Sequence, residues 1–387
     1  MDFPTSILQP GRQRHFCFID SIGSICLENY LLTVVTDGFV FNQEAVIPNS
    51  PNSVSDHLPN SIPAHDKPRP LMDHGSSTTD GSQHAQIQPW VQAARPLAHP
   101  MIFLPLLVGQ TLAFDVNQQF SLMLFLYTLL FGVLYQVLLL YVNDYADETV
   151  DRANDRYFLS GGSRVIPEGK LRGKDLLAGA TVAFLALMGL TAWLVIIIDR
   201  PWLWVGTVLA VALGWAYNMK PLQLSHRGHG EILQGLGCGV LLPLIGFYLQ
   251  QGSMQEFPWF TVLPLFLIFY VGNIVTALPD YPSDKAGGKR TYPVRHGELG
   301  ARQAALGLLA TAYVGVMVAN RQLSWMGLAF IAAPAALALG GTIQSGTFYA
   351  ANTSNFAICK RFVIWVSASQ AWVLCAWVGI LLFGGLH

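Results

Sequence analysis

From Phe120 to Val142 the chain carries no charged residue. As a helix, a run of that length spans the roughly 30 Å hydrocarbon core of a bilayer, and a helix satisfies every backbone N–H and C=O without water. About nine such runs follow one another, over 98–114, 119–142, 175–198, 201–217, 231–250, 258–278, 302–320, 322–342 and 361–384. Of the 387 residues, 52% are hydrophobic and only 12% are Asp, Glu, Lys or Arg, against about 25% charged in a typical soluble domain. Mean hydropathy is +0.41. These values exclude an ordinary soluble fold, and the expected class is an all-α polytopic membrane protein with about nine transmembrane helices in the lipid bilayer. Glycines such as Gly230, Gly235, Gly237 and Gly239 suit close helix–helix approach in lipid. The five cysteines show no Cys-x-x-Cys spacing, which argues against a thiolate zinc site. No basic tract interleaved with aromatic residues points to nucleic acid as a partner.

Residues 1–89 differ from the rest. From Asn42 to Pro89 the chain is rich in Pro, Ser, Asn, His and Asp and poor in large apolar residues, so it reads as a disordered N-terminal extension ahead of a transmembrane domain over 90–387. Ile19 to Phe41 is moderately apolar but is interrupted by Asp20, Glu28 and Asp37, which makes it a poor span and a poor signal sequence. One reading takes Met72 as the physiological start and the residues before it as an over-extended reading frame.

Charge sets the orientation. The segment after the second run carries Arg152, Arg156, Arg164, Lys170, Arg172 and Lys174, and the one after the fourth carries Lys220 and Arg227. After the sixth come Lys285, Lys289, Arg290, Arg295 and Arg302, whereas the opposite loops offer only Arg200 and Arg321 as clear cases. By the positive-inside rule the even-numbered loops are cytoplasmic, which places the N-terminus inside and the C-terminus outside.

The second run ends in Asn143-Asp144-Tyr145-Ala146-Asp147-Glu148-Thr149-Val150-Asp151. On a helix Asp144, Asp147 and Asp151 share one face, and like charges stacked in this way repel unless a cation lies between them. Asp280 and Asp284 follow the sixth run in the same manner, with Pro279 and Pro282 breaking the helix beside them. A solvated loop would explain one such cluster; two in matching positions, each followed by glycines and a basic residue, suggest a weak internal repeat and a divalent-cation site. Asp carboxylates with an amide neighbour are hard oxygen ligands that suit Mg2+, which keeps positions open for phosphate oxygens. Arg164, Lys220, Lys289, Arg290 and Arg295, in loops on the same side of the bundle, would bind the outer oxygens of the same phosphate group, although positive-inside loops need basic residues in any case. Glu148 and Asp155 read as solvated or outlying, and His226, His229 and His296 as surface or supporting residues. Acid and base at the end of an apolar bundle fit a diphosphate on a long hydrocarbon tail.

From about Arg95 onward the chain resembles the UbiA superfamily of intramembrane aromatic prenyltransferases, which have nine transmembrane helices. The family pattern N-D-x-x-D-x-x-x-D stands here as Asn143, Asp144, Asp147 and Asp151, and D-x-x-x-D followed by G-K-R-T as Asp280, Asp284, Gly288, Lys289, Arg290 and Thr291. Arg95-Pro96 matches the Arg-Pro that opens the first helix, and Tyr217, Lys220-Pro221 and Leu224 to Glu231 match the segment between helices 4 and 5. The run Gly161 to Ile166 and the Leu224 to Glu231 segment look most like the 1,4-dihydroxy-2-naphthoate branch. Two departures are Tyr145-Ala146 in place of the commoner Tyr-Phe, and Leu-Ser-His-Arg-Gly-His in place of Leu-Ser-Tyr-Arg-Gly-Leu.

The resemblance implies transfer of a prenyl group from a polyprenyl diphosphate to an aromatic acceptor, with Mg2+ as cofactor. Its metal ligands would be Asn143, Asp144, Asp147, Asp151, Asp280 and Asp284. Arg164, Lys289, Arg290 and Arg295 would bind the diphosphate, and Tyr217 and Lys220 would join the aspartates in catalysis. It also implies menaquinone biosynthesis at a bacterial inner membrane, with the site opening to the cytoplasm. The same chemistry on 4-hydroxybenzoate or a tetrapyrrole remains an alternative, as does an ion-coupled transporter. With Met72 as the start, the intact mass of the purified protein should correspond to residues 72–387; a mass matching all 387 residues would refute that start.

Overall fold

The computed structural model describes residues 79–152, 162–320, 325–344 and 356–383. The extension read over residues 1–78 lies outside them, as does Asp155. Helix α1, Thr79–Ala94, begins inside the stretch read as disordered to residue 89, so that boundary is not an element boundary. There follow α2 (Pro100–Asn117), α3 (Leu122–Ala146), the short α4 (Glu148–Arg152), α5 (Gly173–Ile197) and α6 (Trp202–Asn218). Helix α7 runs Gly230–Gln251 with a π turn over Gly237–Leu241. Then come α8 (Val262–Ala277), the short α9 (Tyr281–Ala286), α10 (Tyr292–Ala319), α11 (Trp325–Gln344) and α12 (Phe356–Phe383). Among the described residues, eight helices are long and apolar enough to cross a membrane, and α6 is a shorter apolar ninth.

Two boundaries differ from the sequence reading in ways that matter. Helix α3 continues past residue 142 to Ala146, because no proline or glycine stops it, and its last turn carries Asn143 and Asp144. Helix α10 starts at Tyr292 rather than 302, with Pro293 in its first turn, and breaks at Gly297 (φ 74°, ψ 159°). Its charged opening turn had read as loop because Arg295, Glu298 and Arg302 interrupt the apolar pattern.

Two apolar cores share the helices α2 and α7. One unites α2 and α7 with α3, α5 and α6, through residues such as Ile102, Phe131, Leu187, Leu203 and Ile245. The other unites them with α8, α10, α11 and α12, through Val108, Phe247, Ile268, Leu309, Ile331 and Phe362. Lipid offers no hydrophobic drive between helices, so close van der Waals packing must hold them. Glycine supplies the contact: a Cβ on Gly246 would run into the Leu106 carbonyl, and one on Gly109 into the Pro243 carbonyl. One turn apart on α7, Gly235 lies against the Phe266 ring, and a Cβ on Gly239 would come 2.6 Å from the Leu265 carbonyl oxygen.

The C-terminal ends of α3, α6 and α8 and the N-terminal ends of α5, α7 and α10 gather at one end of the bundle. Tyr292 N donates to Glu231 Oε1 there at 2.7 Å, tying α10 to α7, and Gln92 of α1 donates to the Ser163 carbonyl at 2.8 Å. Replacing Gly246 with Val should force α2 and α7 apart and destabilise the detergent-solubilised protein by about 1–3 kcal/mol. Gly237→Ala, where nothing lies within 4 Å of the new methyl, should leave the melting temperature near wild type. Equal melting temperatures for the two variants would refute the glycine-contact account.

Candidate active site

The first acidic motif stays helical past the end of α3. Asp147 N donates to the Asn143 carbonyl and Asp151 N to the Asp147 carbonyl, each at 2.9 Å, so the three aspartates turn toward the same side. Asp144 and Asp151 are buried, at 3% and 7% exposure. Burying carboxylates at the end of an apolar bundle is costly unless donors and cations accompany them. Ser163 supplies Asp144 with two donors, its N–H to Oδ1 at 3.2 Å and its hydroxyl to Oδ2, and Arg95 forms an ion pair with Oδ1. The Ser163 loop must pass very close to do so. Gly162, at φ 74°, makes this possible, since a Cβ there would overlap Asp151 Oδ2 and lie 3.4 Å from Asp144 Oδ1. Asp144, Asp151, Ser163 and Arg164 line one cleft, where Arg164 Nη1 donates to the Asp151 carbonyl at 3.2 Å.

Lys289 joins this motif to the second. Its Nζ lies 3.1 Å from Asp147 Oδ2 and 3.6 Å from Asp284 Oδ1. Asp280 opens α9 and accepts the Asp284 N–H at its carbonyl (2.8 Å), while Thr291 Oγ1 donates to Asp284 Oδ2 at 3.1 Å. Asn143 Nδ2 bonds Asp147 Oδ2 at 3.2 Å and Asn218 Oδ1 at 3.1 Å, and His226 Nε2 lies 2.7 Å from Asp147 Oδ1.

The titration behaviour follows from these neighbours. Burial opposes ionisation of Asp147, but the Lys289 charge and the His226 hydrogen bond overcome it and hold the carboxyl at about 2. Burial and then the Asp147 charge push Asp151 up to about 7. Burial also raises Asp284, outweighing Lys289. Burial disfavours the charge on Lys289, yet Asp147 and Asp284 keep its ammonium above the usual range.

The sequence-derived site residues thus fall into two groups. Asn143, Asp144, Asp147, Asp151, Arg164, Asp284 and Lys289 lie in one connected cluster, with Asp280 at its edge on the N-cap of α9. Tyr217 lies inside the bundle, where its hydroxyl accepts from Asn273 Nδ2 at 2.9 Å. Lys220 and Arg290 are exposed at the rim. Arg290 contributes its backbone, donating N–H to the His226 carbonyl at 2.8 Å. Arg295 pairs with buried Glu231 at 3.2 Å, which turns its guanidinium toward α7. Arg95, Ser163 and His226 were not singled out as site residues from sequence. The signal in the sequence for Arg95 was the match of Arg95-Pro96 to the Arg-Pro that opens the family's first helix.

The donor set fits Mg2+. Among the described residues no three Asp, Glu, His or Cys side chains form a closed metal cage. Mg2+ needs none, because it binds through one or two carboxylates and completes its shell with water and substrate phosphate. The hard oxygens of Asp144 and Asp151 on one side, and of Asp280 and Asp284 on the other, provide for that.

The model of the UbiA prenyltransferase family matches residues 102–355. The chain belongs to the UbiA prenyltransferase family. Among curated proteins, this family member is 25% identical over 268 residues to the 1,4-dihydroxy-2-naphthoate octaprenyltransferase of Bacillus subtilis, covering 66% of this chain and 82% of the relative. It is 26% identical to the Mycobacterium tuberculosis enzyme of the same name, covering 68% of this chain and 88% of the other. Among solved structures it is similar to a UbiA homolog from Archaeoglobus fulgidus bound to DMAPP and Mg2+, with a TM-score of 0.55 at 19% identity over 74% of this chain and 98% of the other. The apo UbiA homolog from Aeropyrum pernix gives a TM-score of 0.55 at 18% identity, covering 74% and 98% of the two chains. These structural matches carry the membrane-bundle fold.

Because Ser163 aims Asp144 without being a ligand itself, Ser163→Ala should lower Mg2+ affinity or turnover on the order of 10–100-fold. A Mg2+ titration of activity that superimposes on the wild-type curve would show that Ser163 does not position Asp144.

Proposed function

We propose that this chain transfers a polyprenyl group from its diphosphate to 1,4-dihydroxy-2-naphthoate, with Mg2+ as cofactor, in menaquinone biosynthesis. The observation that carries the reading is the pair of aspartate clusters joined through Lys289 at one end of an apolar helical bundle. That is the arrangement a diphosphate with a hydrocarbon tail requires. The acceptor assignment rests on the relatives' names, and the metal assignment on the donor set together with solved family structures bound to Mg2+ and to DMAPP or GPP.

Asn143, Asp144, Asp147, Asp151, Asp280 and Asp284 would hold the metal. When bound, Mg2+ neutralises charge on the diphosphate as it leaves. The chain's own cations act on the same charge. Lys289 is fixed between Asp147 and Asp284, Arg164 lines the first cleft, and Arg95 keeps its Nε buried without a hydrogen-bond partner among the described residues. A phosphate oxygen would give the Arg95 Nε a partner, and all three cations are already oriented before charge develops. Lys220, Arg290 and Arg295 at the rim would meet the diphosphate as it enters. As the allylic C–O bond breaks, its electron pair leaves with the diphosphate, and apolar walls keep water from the carbocation. The acceptor ring carbon then supplies the pair for the new C–C bond, and the acceptor's carboxylate departs as carbon dioxide. The Tyr217 hydroxyl accepts from Asn273 Nδ2 at 2.9 Å, which holds the ring in place beside the acidic cluster's Asn218.

The protein is an integral membrane protein. The basic segments after α3, α6 and α8 support a site that opens to the cytoplasm, at a bacterial inner membrane. Membranes containing the protein, given a polyprenyl diphosphate, Mg2+ and a panel of aromatic acids that includes 4-hydroxybenzoate, should prenylate 1,4-dihydroxy-2-naphthoate. Chelating Mg2+ should abolish product, and Asp144→Ala or Asp280→Ala should cut turnover by roughly 100-fold or more. Full activity in both inserted variants would sink the site assignment, and product from 4-hydroxybenzoate alone would sink the acceptor assignment.

A further inference from the structure

A line of polar side chains leads from the acidic cluster into the apolar interior. Asp147 is bonded to Asn143 (3.2 Å), Asn143 to Asn218 (3.1 Å), and the neighbouring Tyr217 accepts from Asn273 Nδ2 at 2.9 Å. Asn273 Nδ2 also donates to Gln234 Oε1 at 2.8 Å. There the line stops. Gln234 Nε2 is buried and has no hydrogen-bond partner among the described residues. An amide donor left unpaired in an apolar interior is disfavoured, and buried donors without partners are few in folded proteins. One beside an Asn273 amide that already donates twice marks the place where a ligand oxygen completes the set.

Bare backbone lies directly against this donor. Position 272 of α8 is glycine, and a Cβ there would stand 3.2 Å from Gln234 Nε2, 3.8 Å from Met101 Cε and 3.9 Å from Gln370 Nε2. Four helices, α2, α7, α8 and α12, therefore meet at a point lined by one sulfur-bearing side chain, two carboxamides and bare backbone. Gln370 Nε2 already donates to the Ile268 carbonyl at 2.6 Å, whereas Gln234 Nε2 donates to no acceptor among the described residues. A thioether beside a flat polar group suits an aromatic ring carrying oxygen substituents. A prenyl tail, a hydrocarbon of isoprene units, offers the amide no acceptor oxygen.

We propose that Gln234 binds the aromatic acceptor, donating from Nε2 to an oxygen substituent of its ring, and that Asn273 is the positioning residue that holds the Gln234 carboxamide in that orientation while linking it to Tyr217. This rests on the prenyltransfer reading above and deepens it. Asn273 joins Gln234 to Tyr217, and Tyr217 is next in the chain to Asn218, which bonds Asn143 of the acidic motif, so the α6 backbone ties the acceptor subsite to the diphosphate subsite.

The test uses the full-length protein in membranes or detergent, with Gln234→Glu and Gln234→Leu. The Glu variant keeps the side-chain volume and an oxygen for Asn273 but removes the N–H donor, so it tests the proposal even if the Leu variant fails to fold. Both should raise the KM for 1,4-dihydroxy-2-naphthoate on the order of tenfold, the effect of one lost hydrogen bond to a ligand. The KM for the polyprenyl diphosphate and the Mg2+ dependence should stay at wild-type values, a split that a general structural defect would not produce. If wild type is active and the acceptor KM is unchanged in the Glu variant, the Gln234 assignment is overturned while the prenyltransfer reading stands. If wild type prenylates no aromatic acid, the prenyltransfer reading falls and this proposal with it.

Discussion

Carboxylates cannot be carried into the end of an apolar bundle without cations, and Lys289 is the cation on which the rest of this end depends. Its ammonium reaches Asp147 from the first motif and Asp284 from the second, at 3.1 and 3.6 Å. The two motifs lie more than a hundred residues apart in sequence, and each alone would be a strained cluster of like charges. The ion pairs let α4 and α9 sit side by side, with Gly287 against Val150. Asp151 shows how little slack remains, since burial and the neighbouring Asp147 raise its carboxyl to about 7 despite Lys289.

This end is kept in shape by contacts of a different kind deeper in the bundle. Helices α2 and α7 belong to both apolar cores and touch through Gly109 and Gly246. Each motif is anchored to its own core, the first through α3 and the second through α8 and α10. The distance between the acidic clusters is therefore governed by how closely α2 and α7 pack, and in lipid that closeness comes from small residues. Glu231 at the start of α7 adds a polar tie, accepting from Tyr292 N and from Arg295. Arg295 accordingly helps set α10, which follows the loop that carries Lys289.

Much of this was legible in the sequence for simple reasons. Long apolar runs must be helices in lipid, so the count and the approximate bounds of the spans follow from hydropathy alone. The spacing of Asp144, Asp147 and Asp151 predicts a shared face, and two such clusters in matching positions predict a cation site. The readings that moved were those in which polar residues belong to a helix. The opening turn of α10 is rich in charge and had read as loop, yet it is helical to the break at Gly297. His226, read as a surface or supporting residue, lies in a turn 2.7 Å from Asp147.

By itself the sequence determined the class of protein, the number of apolar helices and the acidic residues at one end of them. These depend on local quantities, namely run length, charge and helical spacing, which the chain carries at every position. Only the tertiary structure decided which cations face those acids. Arg95, Arg164 and Lys289 are turned inward, whereas Lys220 and Arg290 stay at the rim and Arg295 is held by Glu231. A basic residue near a membrane span satisfies topology wherever it points, so nothing local distinguishes the two groups. The same holds for Asn273 and Gln234, ordinary polar residues on two separate helices until packing brings them within 2.8 Å.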